Sequence, residues 1–266
     1  MECISVFDML KIGVGPSSSH TLGPWRAAEL FIKELKQQQI FNEVTTVNID
    51  LYGSLSLTGI GHATDLAVML GLSGADPEYV PVESIQTIID AIKQNKELNL
   101  CEERVLSFDS ETQIIFNKNF LPFHANGLTF TAFLKDGNKY ESTFYSIGGG
   151  FVVKEETIEN VENDEIKASF PFPIDKADQL LVFCNQEKKS ISEIVYENEL
   201  SLRTPEEIDH ELMRIWNTML ECMYIGCHTE GTLPGGLNVR RRAYDTHEKL
   251  KGDLPYNTPQ EWLQTI

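Results

Sequence analysis

A histidine that follows three serines, just before a helix, is the first group in this chain able to do chemistry. It is His20, within "KIGVGPSSSHTLGPWRAAELF" (residues 11–31). Gly13 and Gly15 permit a sharp backbone turn, and hydroxyl and N–H groups then gather where the dipole of the following helix is positive. This pattern indicates an anion site beside a titratable imidazole. The hydroxyls belong to Ser17, Ser18, Ser19 and Thr21.

Three interpretations of this loop are open. A serine run caps a helix without binding any ligand. A nucleotide-phosphate loop is disfavoured because the pattern G-x-x-x-x-G-K-[ST] requires a lysine, and none follows these glycines. The third interpretation is a site for a small carboxylate or phosphate ligand, with His20 as its acid or base.

A second candidate for acid–base chemistry is His62, in "TGIGHATD" (residues 58–65). Thr58, His62 and Asp65 are spaced by four and three residues, which predicts that they share one face of a helix and that Asp65 can orient His62. A single histidine is also a common structural or surface residue, so spacing alone does not decide between the two interpretations.

Two further motifs join polar residues to glycine. His124 and Asn126 lie in "LPFHANG" (residues 121–127), where the Asn-Gly pair is also typical of a tight hairpin turn. Gly149 lies in "YSIGGGF" (residues 145–151), where three glycines indicate either a bulge or a bare backbone that a substrate or a second domain can approach.

The elements expected to position these residues change in type along the chain. Alternating residues predict a strand over 44–52, and helical spacing follows over 56–72 and 83–94. Residues 112–153 are rich in β-forming side chains separated by Asn-Gly or Asp-Gly turns. The first domain, 1–165, is therefore predicted to be α+β, with an acidic, exposed connection over 154–168.

The second domain, residues 174–266, is predicted to be all-α. Thr204 and Glu207 form the pattern of a capping box. A wide apolar helix face follows, made of Leu212, Ile215, Trp216, Met219 and Met223. Three consecutive arginines, residues 240–242, are expected to clamp a carboxylate or an acidic face of another domain.

Composition excludes several classes of function. The chain has 266 residues and a formal net charge of −18, which opposes nucleic-acid binding. No apolar run approaches the ~20 residues of a membrane-spanning helix, and the N-terminus lacks the pattern of a signal peptide, so we expect a cytoplasmic protein. The five cysteines are scattered, which favours reduced thiols, and Cys222 with Cys227 is weak evidence for a metal site.

Five motifs taken together resemble the iron–sulfur L-serine dehydratases of bacteria. They are "SVFDMLKIGVGPSSSHTLGP", "YGSLSLTGIGHATD", "HANG", "YSIGGGF" and "TEGTLPGGL…RRA", which occur in this order from Ser5 to Ala243. The resemblance implies conversion of L-serine to pyruvate and ammonia, a lyase reaction of amino-acid catabolism and gluconeogenesis, without pyridoxal phosphate. It also implies an N-terminal α+β domain, like the serine dehydratase beta chain and similar to the substrate-sensing domain of some phosphoglycerate dehydrogenases.

The resemblance also implies the cofactor and the roles of individual residues. The family's helical domain holds a [4Fe–4S] cluster that acts as a Lewis acid on the serine hydroxyl. By motif, His20 and His62 would do acid–base work, and His124 with Asn126 would face the cluster across the same cleft. The carboxylate would be held by Ser17, Ser18, Ser19 and Thr21, with Asn126 and Gly149 also at the substrate.

One departure from the family pattern concerns the cluster ligands. The family's cluster cysteines lie late in the helical domain, and Cys222 and Cys227 do not match them. Residues 174–266 are therefore expected to be the opening of a catalytic domain whose remainder is supplied in cis or in trans, with a homodimer as the complete form. The alternative is a stand-alone module that binds serine or a small carboxylate without catalysis.

Overall fold

The computed structural model describes residues 4–15, 17–158, 170–233, 238–250, 256 and 258–264. Contacts group these residues into two compact units. The described residues within 12–161, with Asn238, form the first unit, and those within 1–11, 162–233 and 239–266 form the second. The short segment 4–11 thus groups with the helices that follow the sheet in sequence.

Helices and strands are numbered through both units. The helices are α1 Val6–Met9, α2 Leu22–Gln37, α3 Gly53–His62, α4 Thr64–Leu72, α5 Val82–Asn95, α6 Ser110–Gln113, α7 Glu155–Ile158, α8 Ala177–Glu187, α9 Ile191–Glu199, α10 Pro205–His228, α11 Arg242–Leu250 and α12 Pro259–Leu263. The strands are β1 Val44–Tyr52, β2 Glu97–Leu100, β3 Arg104–Ser107, β4 Ile114–Asn117, β5 Gly127–Leu134, β6 Lys139–Gly148 and β7 Phe151–Lys154.

A five-stranded sheet organises the first unit, in the order β4-β1-β5-β6-β7. Strands β1 and β4 are parallel, and the other neighbours are antiparallel. The predicted α+β character is therefore confirmed. The predicted strand over 44–52 coincides with β1, and the predicted helix over 83–94 lies within α5.

The Asn126-Gly127 pair does not form the hairpin turn that its sequence suggested. Strand β4, which precedes it, pairs with β1, so β4 and β5 are not neighbours and the pair ends a longer loop. The hairpin between β5 and β6 is closed at Asp136-Gly137 instead, where Gly137 has φ +87°.

The core lies between α2, α4 and the sheet. Trp25, Ala28, Ile32 and Leu35 repeat at helical spacing on α2, and all four are buried as expected. Phe31 from the same helix stacks on Phe130 of the central strand β5, with ring centroids 5.0 Å apart. This packing holds the N-terminal end of α2 at a defined place beside the sheet.

The helical region predicted over 56–72 is broken into two helices. Ala63 has φ 59° and ψ 38°, a left-handed conformation that ends α3 at His62, and α3 and α4 meet at 108°. The expectation that Thr58, His62 and Asp65 share one helix face is therefore wrong, because Asp65 belongs to α4. Among the described residues, no single helix is long and apolar enough to span a membrane, although this bent pair together meets that criterion of length and composition.

In the second unit, a buried carboxylate anchors the N-terminal segment. Glu199 is 2% exposed and accepts hydrogen bonds from Ser5 Oγ (2.8 Å), from Val6 N (2.8 Å) and from Arg203 Nη1 (2.8 Å). The guanidinium of Arg203 also lies 4.8 Å from the ring centroid of Phe7. The charge of Glu199 is thus balanced by a cation and by the free N–H groups at the start of α1.

The long helix α10 begins with the predicted capping box. Thr204 Oγ1 accepts from Glu207 N, and Glu207 reaches back to the Thr204 N–H. Arg240, in the arginine triplet, pairs with Asp245 of its own unit at 2.5 Å. Most of the acidic stretch 154–168 lies outside the described residues, so its predicted role as a connection stays a prediction.

A close contact between α2 and β6 gives a test of this packing. A Cβ added to Gly23 would lie 1.9 Å from Ser146 Oγ and 2.7 Å from Ser146 Cβ. Alanine normally favours a helix over glycine by about 1 kcal/mol. We expect Gly23→Ala instead to destabilise the fold by about 1–3 kcal/mol, the usual cost of overpacking. Urea unfolding of the variant measures this change.

The matched control removes the obstacle rather than the glycine. Ser146→Gly takes away both contacting atoms, so Gly23→Ala should be at least neutral in that background. A double-mutant cycle over the two positions then gives a favourable coupling energy. Equal costs of Gly23→Ala in both backgrounds would show that the contact does not limit the packing.

Candidate functional site

The serine loop forms a tight turn that continues directly into α2. The Ser17 carbonyl accepts from His20 N (3.1 Å), from Thr21 N (2.9 Å) and from Thr21 Oγ1 (2.5 Å). The Thr21 side chain is buried, so its hydroxyl shapes the turn. Ser18 is exposed, and its carbonyl accepts from Gly23 N at 2.8 Å. The turn therefore presents serine side chains at the positive end of a 16-residue helix.

Both ring nitrogens of His20 have a serine hydroxyl as neighbour. Nδ1 lies 2.9 Å from Ser19 Oγ and 3.5 Å from Ser17 Oγ, and Nε2 lies 3.0 Å from Ser54 Oγ. Thr64 Oγ1 donates to the His20 carbonyl at 2.8 Å. The ring contacts fix the orientation of the imidazole from the turn and from α3, and the carbonyl contact ties the His20 backbone to α4.

His62 is the second histidine of this cluster. Its ring centroid lies 4.8 Å from that of His20. Nδ1 is 2.9 Å from the Thr58 carbonyl, which can only accept, so Nδ1 carries the proton and Nε2 of the neutral ring has the free lone pair. The sequence suggested Asp65 as the orienting group, but the structure gives this role to the Thr58 carbonyl.

The neighbouring His62 ring affects the protonation of His20. Burial lowers the pKa of His20 below its usual 6.5, the nearby His62 lowers it further, and a hydrogen bond with Ser54 opposes both effects. A like charge close by makes it unfavourable for both rings to be protonated together. Both effects favour the neutral imidazole of His20 over the charged ring. Burial also raises the pKa of Asp65, and the positive charge of Lys93 opposes that change.

The loop that carries His124 and Asn126 reaches the same region from the sheet side. Asn126 N donates to His124 Nδ1 at 3.1 Å. The carbonyl of Ala125 accepts from Ser54 N at 2.8 Å, and Ser54 contacts His20. Gly53 has φ +53°, and a Cβ there would lie 2.4 Å from the Ala125 carbonyl, so only glycine permits this approach. His124 is thus connected to His20 through Ala125 and Ser54.

The glycine triplet lies against the first turn of α2. The pairing of β6 with β7 shifts between Ser146 and Gly148, so the irregularity lies at Ile147, and the expectation that the glycine triplet itself forms the bulge is wrong because Gly148 pairs with Phe151. Gly149 (φ +61°) and Gly150 (φ +82°) form the two-residue turn between β6 and β7, and a Cβ on Gly150 would meet Leu22 at 2.6 Å. Asn126 Nδ2 donates to the Ser146 carbonyl at 3.1 Å and holds the bulge to the His124 loop.

Ser54 and Thr64 were missed by the sequence analysis, although both contact His20. A sequence signal for both residues was present, because both lie within the glycine-rich motif "YGSLSLTGIGHATD" around His62. Their contacts with His20 join residues far apart in sequence, so residue spacing did not reveal them. Ser146 was also not singled out in the sequence analysis. Its hydroxyl is buried without a hydrogen-bond partner among the described residues.

The described side chains do not fit an iron–sulfur cluster. No group of three or more His, Cys, Asp or Glu side chains in this part of the chain is placed to hold a metal ion. Cys222 and Cys227 lie five residues apart on the continuous helix α10, so they point about 140° apart around its axis. A cluster requires several thiolates that converge on one point.

Comparison with known proteins identifies the class to which this α+β domain belongs. Residues 5–157 match the family described as "Serine dehydratase beta chain". This match covers more than half of the chain, and it contains every element that contributes to the His20 cluster. The chain belongs to this family.

Curated relatives resemble almost the whole chain. It is 42% identical to L-serine dehydratase 1 of Escherichia coli over 265 residues, which are 99% of this chain and 58% of that protein. It is 41% identical over 266 residues to an L-serine dehydratase of Streptomyces coelicolor, and 40% identical over 252 residues to one of Haemophilus influenzae. These matches cover 98% and 94% of this chain, and 58% and 55% of those proteins. The chain thus spans little more than half the length of these relatives.

The interaction between the two histidines can be measured directly. We expect His62→Gln to raise the pKa of His20 towards 6.5, because the variant removes the like charge, while burial keeps the pKa below that value. Titration of the His20 ring proton by NMR measures the change. The control is His124→Gln, which leaves the His20–His62 pair intact and should leave the His20 titration unchanged. An unchanged His20 pKa in His62→Gln would show that the charge of His62 does not lower the pKa of His20.

The same pKa difference links pH to stability. The folded-state pKa of His20 lies below its unfolded value, so the unfolded chain binds more protons as the pH falls below about 6.5. His20 therefore reduces the free energy of unfolding in this acidic range. The reduction should be smaller in His62→Gln than in the wild-type chain when urea unfolding is compared at pH 7.5 and pH 5.5.

Proposed function

We propose that this chain provides the carboxylate-binding and proton-transfer half of an L-serine dehydratase. The observation that carries this proposal is the pair of histidine rings, 4.8 Å apart, beside a serine turn at the N-terminus of α2. The names of the curated relatives supply the substrate class, and they favour catalysis over a stand-alone binding module.

The proposed reaction is a β-elimination. The Cα–H and Cβ–O bonds of L-serine break, a Cα–Cβ double bond forms, and water and aminoacrylate are the products. Aminoacrylate then tautomerises to an imine, which takes up water to give pyruvate and ammonia. The protein must hold the carboxylate, remove the α-proton and assist the departure of the hydroxyl group.

The substrate carboxylate is proposed to bind at the serine turn. Ser17, Ser18 and Ser19 are proposed as its hydrogen-bond donors, and the positive end of α2 favours the negative charge. Thr21 contributes through the shape of the turn, because its hydroxyl donates to the Ser17 carbonyl. Asn126 and Gly149 would line the same site, Asn126 through its loop and Gly149 through the turn between β6 and β7.

His62 is proposed as the base that removes the α-proton. Its Nε2 has the free lone pair, whereas both nitrogens of His20 lie within 3.0 Å of serine hydroxyls. The lowered pKa of His20 keeps that ring neutral, so it does not repel the proton that His62 receives. His20 and His124 are proposed to position the substrate and to transfer protons to its polar groups.

The departure of the hydroxyl group is proposed to depend on polypeptide outside the described residues. The resemblance to iron–sulfur serine dehydratases indicates a [4Fe–4S] cluster, which supplies Lewis acidity, and the described cysteines do not converge to hold one. A further helical segment, in cis or in trans, would carry its ligands.

Several finer expectations remain proposals. They are the domain boundaries 1–165 and 174–266, the similarity to the substrate-sensing domain of phosphoglycerate dehydrogenases, the cytoplasmic location and a homodimer as the complete form. Size measurement of an assembled protein tests the last of these.

The proposed roles of the histidines and the serines give different kinetic effects. In the complete, cluster-loaded protein, His20→Ala and His62→Ala should each lower kcat by about 10²- to 10⁴-fold, the usual loss for a positioned proton-transfer group. Ser18→Ala should mainly raise KM, because one hydrogen bond to a charged group contributes about 1.5–3 kcal/mol. Steady-state kinetics with confirmed iron content separates these effects. A near-normal kcat in both histidine variants would exclude the proton-transfer roles proposed for His20 and His62.

A second prediction concerns the Lewis acid, whose ligands are proposed to lie outside the described residues. We expect the 266-residue chain, after anaerobic treatment with iron and sulfide, to form no stable four-iron chromophore and no pyruvate from L-serine. Coexpression with the part of E. coli L-serine dehydratase 1 that this chain does not match should restore both. Pyruvate formation by the reconstituted chain alone would contradict the division of roles proposed here.

A further inference from the structure

Helix α10 carries an apolar stripe on its exposed surface. Leu212, Trp216, Met219 and Met223 are spaced by four, three and four residues, which places them within about 60° of one another around the helix axis. Their exposed fractions are 38%, 41%, 50% and 38%. The stripe therefore presents four large apolar side chains to solvent over three helical turns.

Another face of the same helix is already packed within its unit. Leu220, which lies about 70° around the helix axis from the middle of the stripe, is 1% exposed. Ile208 is also 1% exposed, but it lies one turn before Leu212 on the side of the stripe, so the exposed stripe begins at Leu212. Tyr224 stacks on His228 at 4.0 Å between ring centroids, and its ring also lies 5.7 Å from Trp262 of α12. The stripe is thus a second apolar surface, on a helix that already has one buried side.

The size of the relatives indicates what covers this stripe. This chain matches 58% of the length of E. coli L-serine dehydratase 1, and the match includes 99% of this chain. The remainder of that protein has no counterpart among the described residues, so it is polypeptide available to pack against this unit. An apolar surface in a three-turn row fits the apolar face of one amphipathic helix.

We propose that the apolar stripe of α10 is the docking surface for an amphipathic helix from the region of the relatives that this chain does not match. Three of the four side chains are Trp or Met, the types enriched at protein interfaces. Exposed Met and Trp groups pack against varied partner shapes at low cost in rotamer strain. The inference rests on the proposed function, since it names the surface that receives the missing half.

The experiment coexpresses the 266-residue chain with the unmatched part of E. coli L-serine dehydratase 1 and maps oxidation by dilute peroxide with mass spectrometry. Methionine oxidation follows exposure, so Met219 and Met223 should be modified at least ~10-fold more slowly in the complex than in the chain alone. Met213 is 55% exposed on another face of α10, and its rate should change by less than ~2-fold.

Matched variants test the same surface by affinity. Met219→Lys should weaken the complex at least ~10-fold, because it places a charge in an apolar contact. Met213→Lys introduces the same group on the same helix outside the stripe and should leave the affinity nearly unchanged. Equal effects of both variants, or a complex in which Met219 and Met223 stay reactive, would overturn the proposal.

Two other outcomes bear on the docking-surface proposal. Protection of the stripe in the chain alone that increases with concentration would assign the surface to a second copy and would overturn the proposal. The proposed function is read separately, by pyruvate formation. A complex in which the stripe methionines are protected but no pyruvate forms would support the docking surface and argue against the proposed function. A complex that forms pyruvate while the stripe methionines stay reactive would support the proposed function and overturn the docking surface.

Discussion

The left-handed backbone at Ala63 is the constraint that decides where the reactive side chains of the first unit lie. This conformation costs an L-residue about 1–2 kcal/mol, so the surrounding contacts must maintain it. It ends α3 at His62, beside the His20 ring, and turns the chain by 108° into α4. Thr64, the next residue, then donates to the His20 carbonyl at 2.8 Å. One local distortion thus joins two helices and the serine turn.

The rest of the domain holds this junction in place. Helix α4 packs along α2, and Trp25 Nε1 donates to the Ala75 carbonyl just beyond α4 at 2.7 Å. Glu34, farther along α2, accepts from Ser142 Oγ (2.8 Å) and from Lys154 Nζ (3.0 Å), which ties the helix to β6 and β7. Helix α2 is therefore held at its start by α4 and farther along by the sheet. The serine turn that leads into α2 thus has little freedom to move relative to His62.

Much of this arrangement was predictable where one physical signal dominates. Alternation of apolar residues gave the bounds of β1, and the capping pattern at Thr204 gave the start of α10. The position of the serine turn was predictable because its serines precede an evident helix. The break at Ala63 was not, because alanine favours helices and tertiary contacts overrule its preference. The role of Ser54 was equally hidden, since it depends on a contact between elements distant in sequence.

The proposed roles of the two histidines account for one part of the proposed reaction. The site is proposed to hold a carboxylate and to take up one proton, and the loss of a hydroxyl group would need an acid or a Lewis acid on the other side of the substrate. The described cysteines do not supply one. The exposed stripe on α10, proposed as a docking surface, belongs to a unit that shares no residue with the histidine site.

The serine turn and the two histidines are proposed to form a binding site for the carboxylate of L-serine within this chain. Backbone amide NMR of the chain during titration with L-serine tests this proposal. We expect shift changes centred on Ser18, Ser19, Gly23 and His62 that are lost in Ser18→Ala, with the stripe residues of α10 unaffected. No shifts at these amides at millimolar serine, or shifts confined to the helical unit, would contradict it.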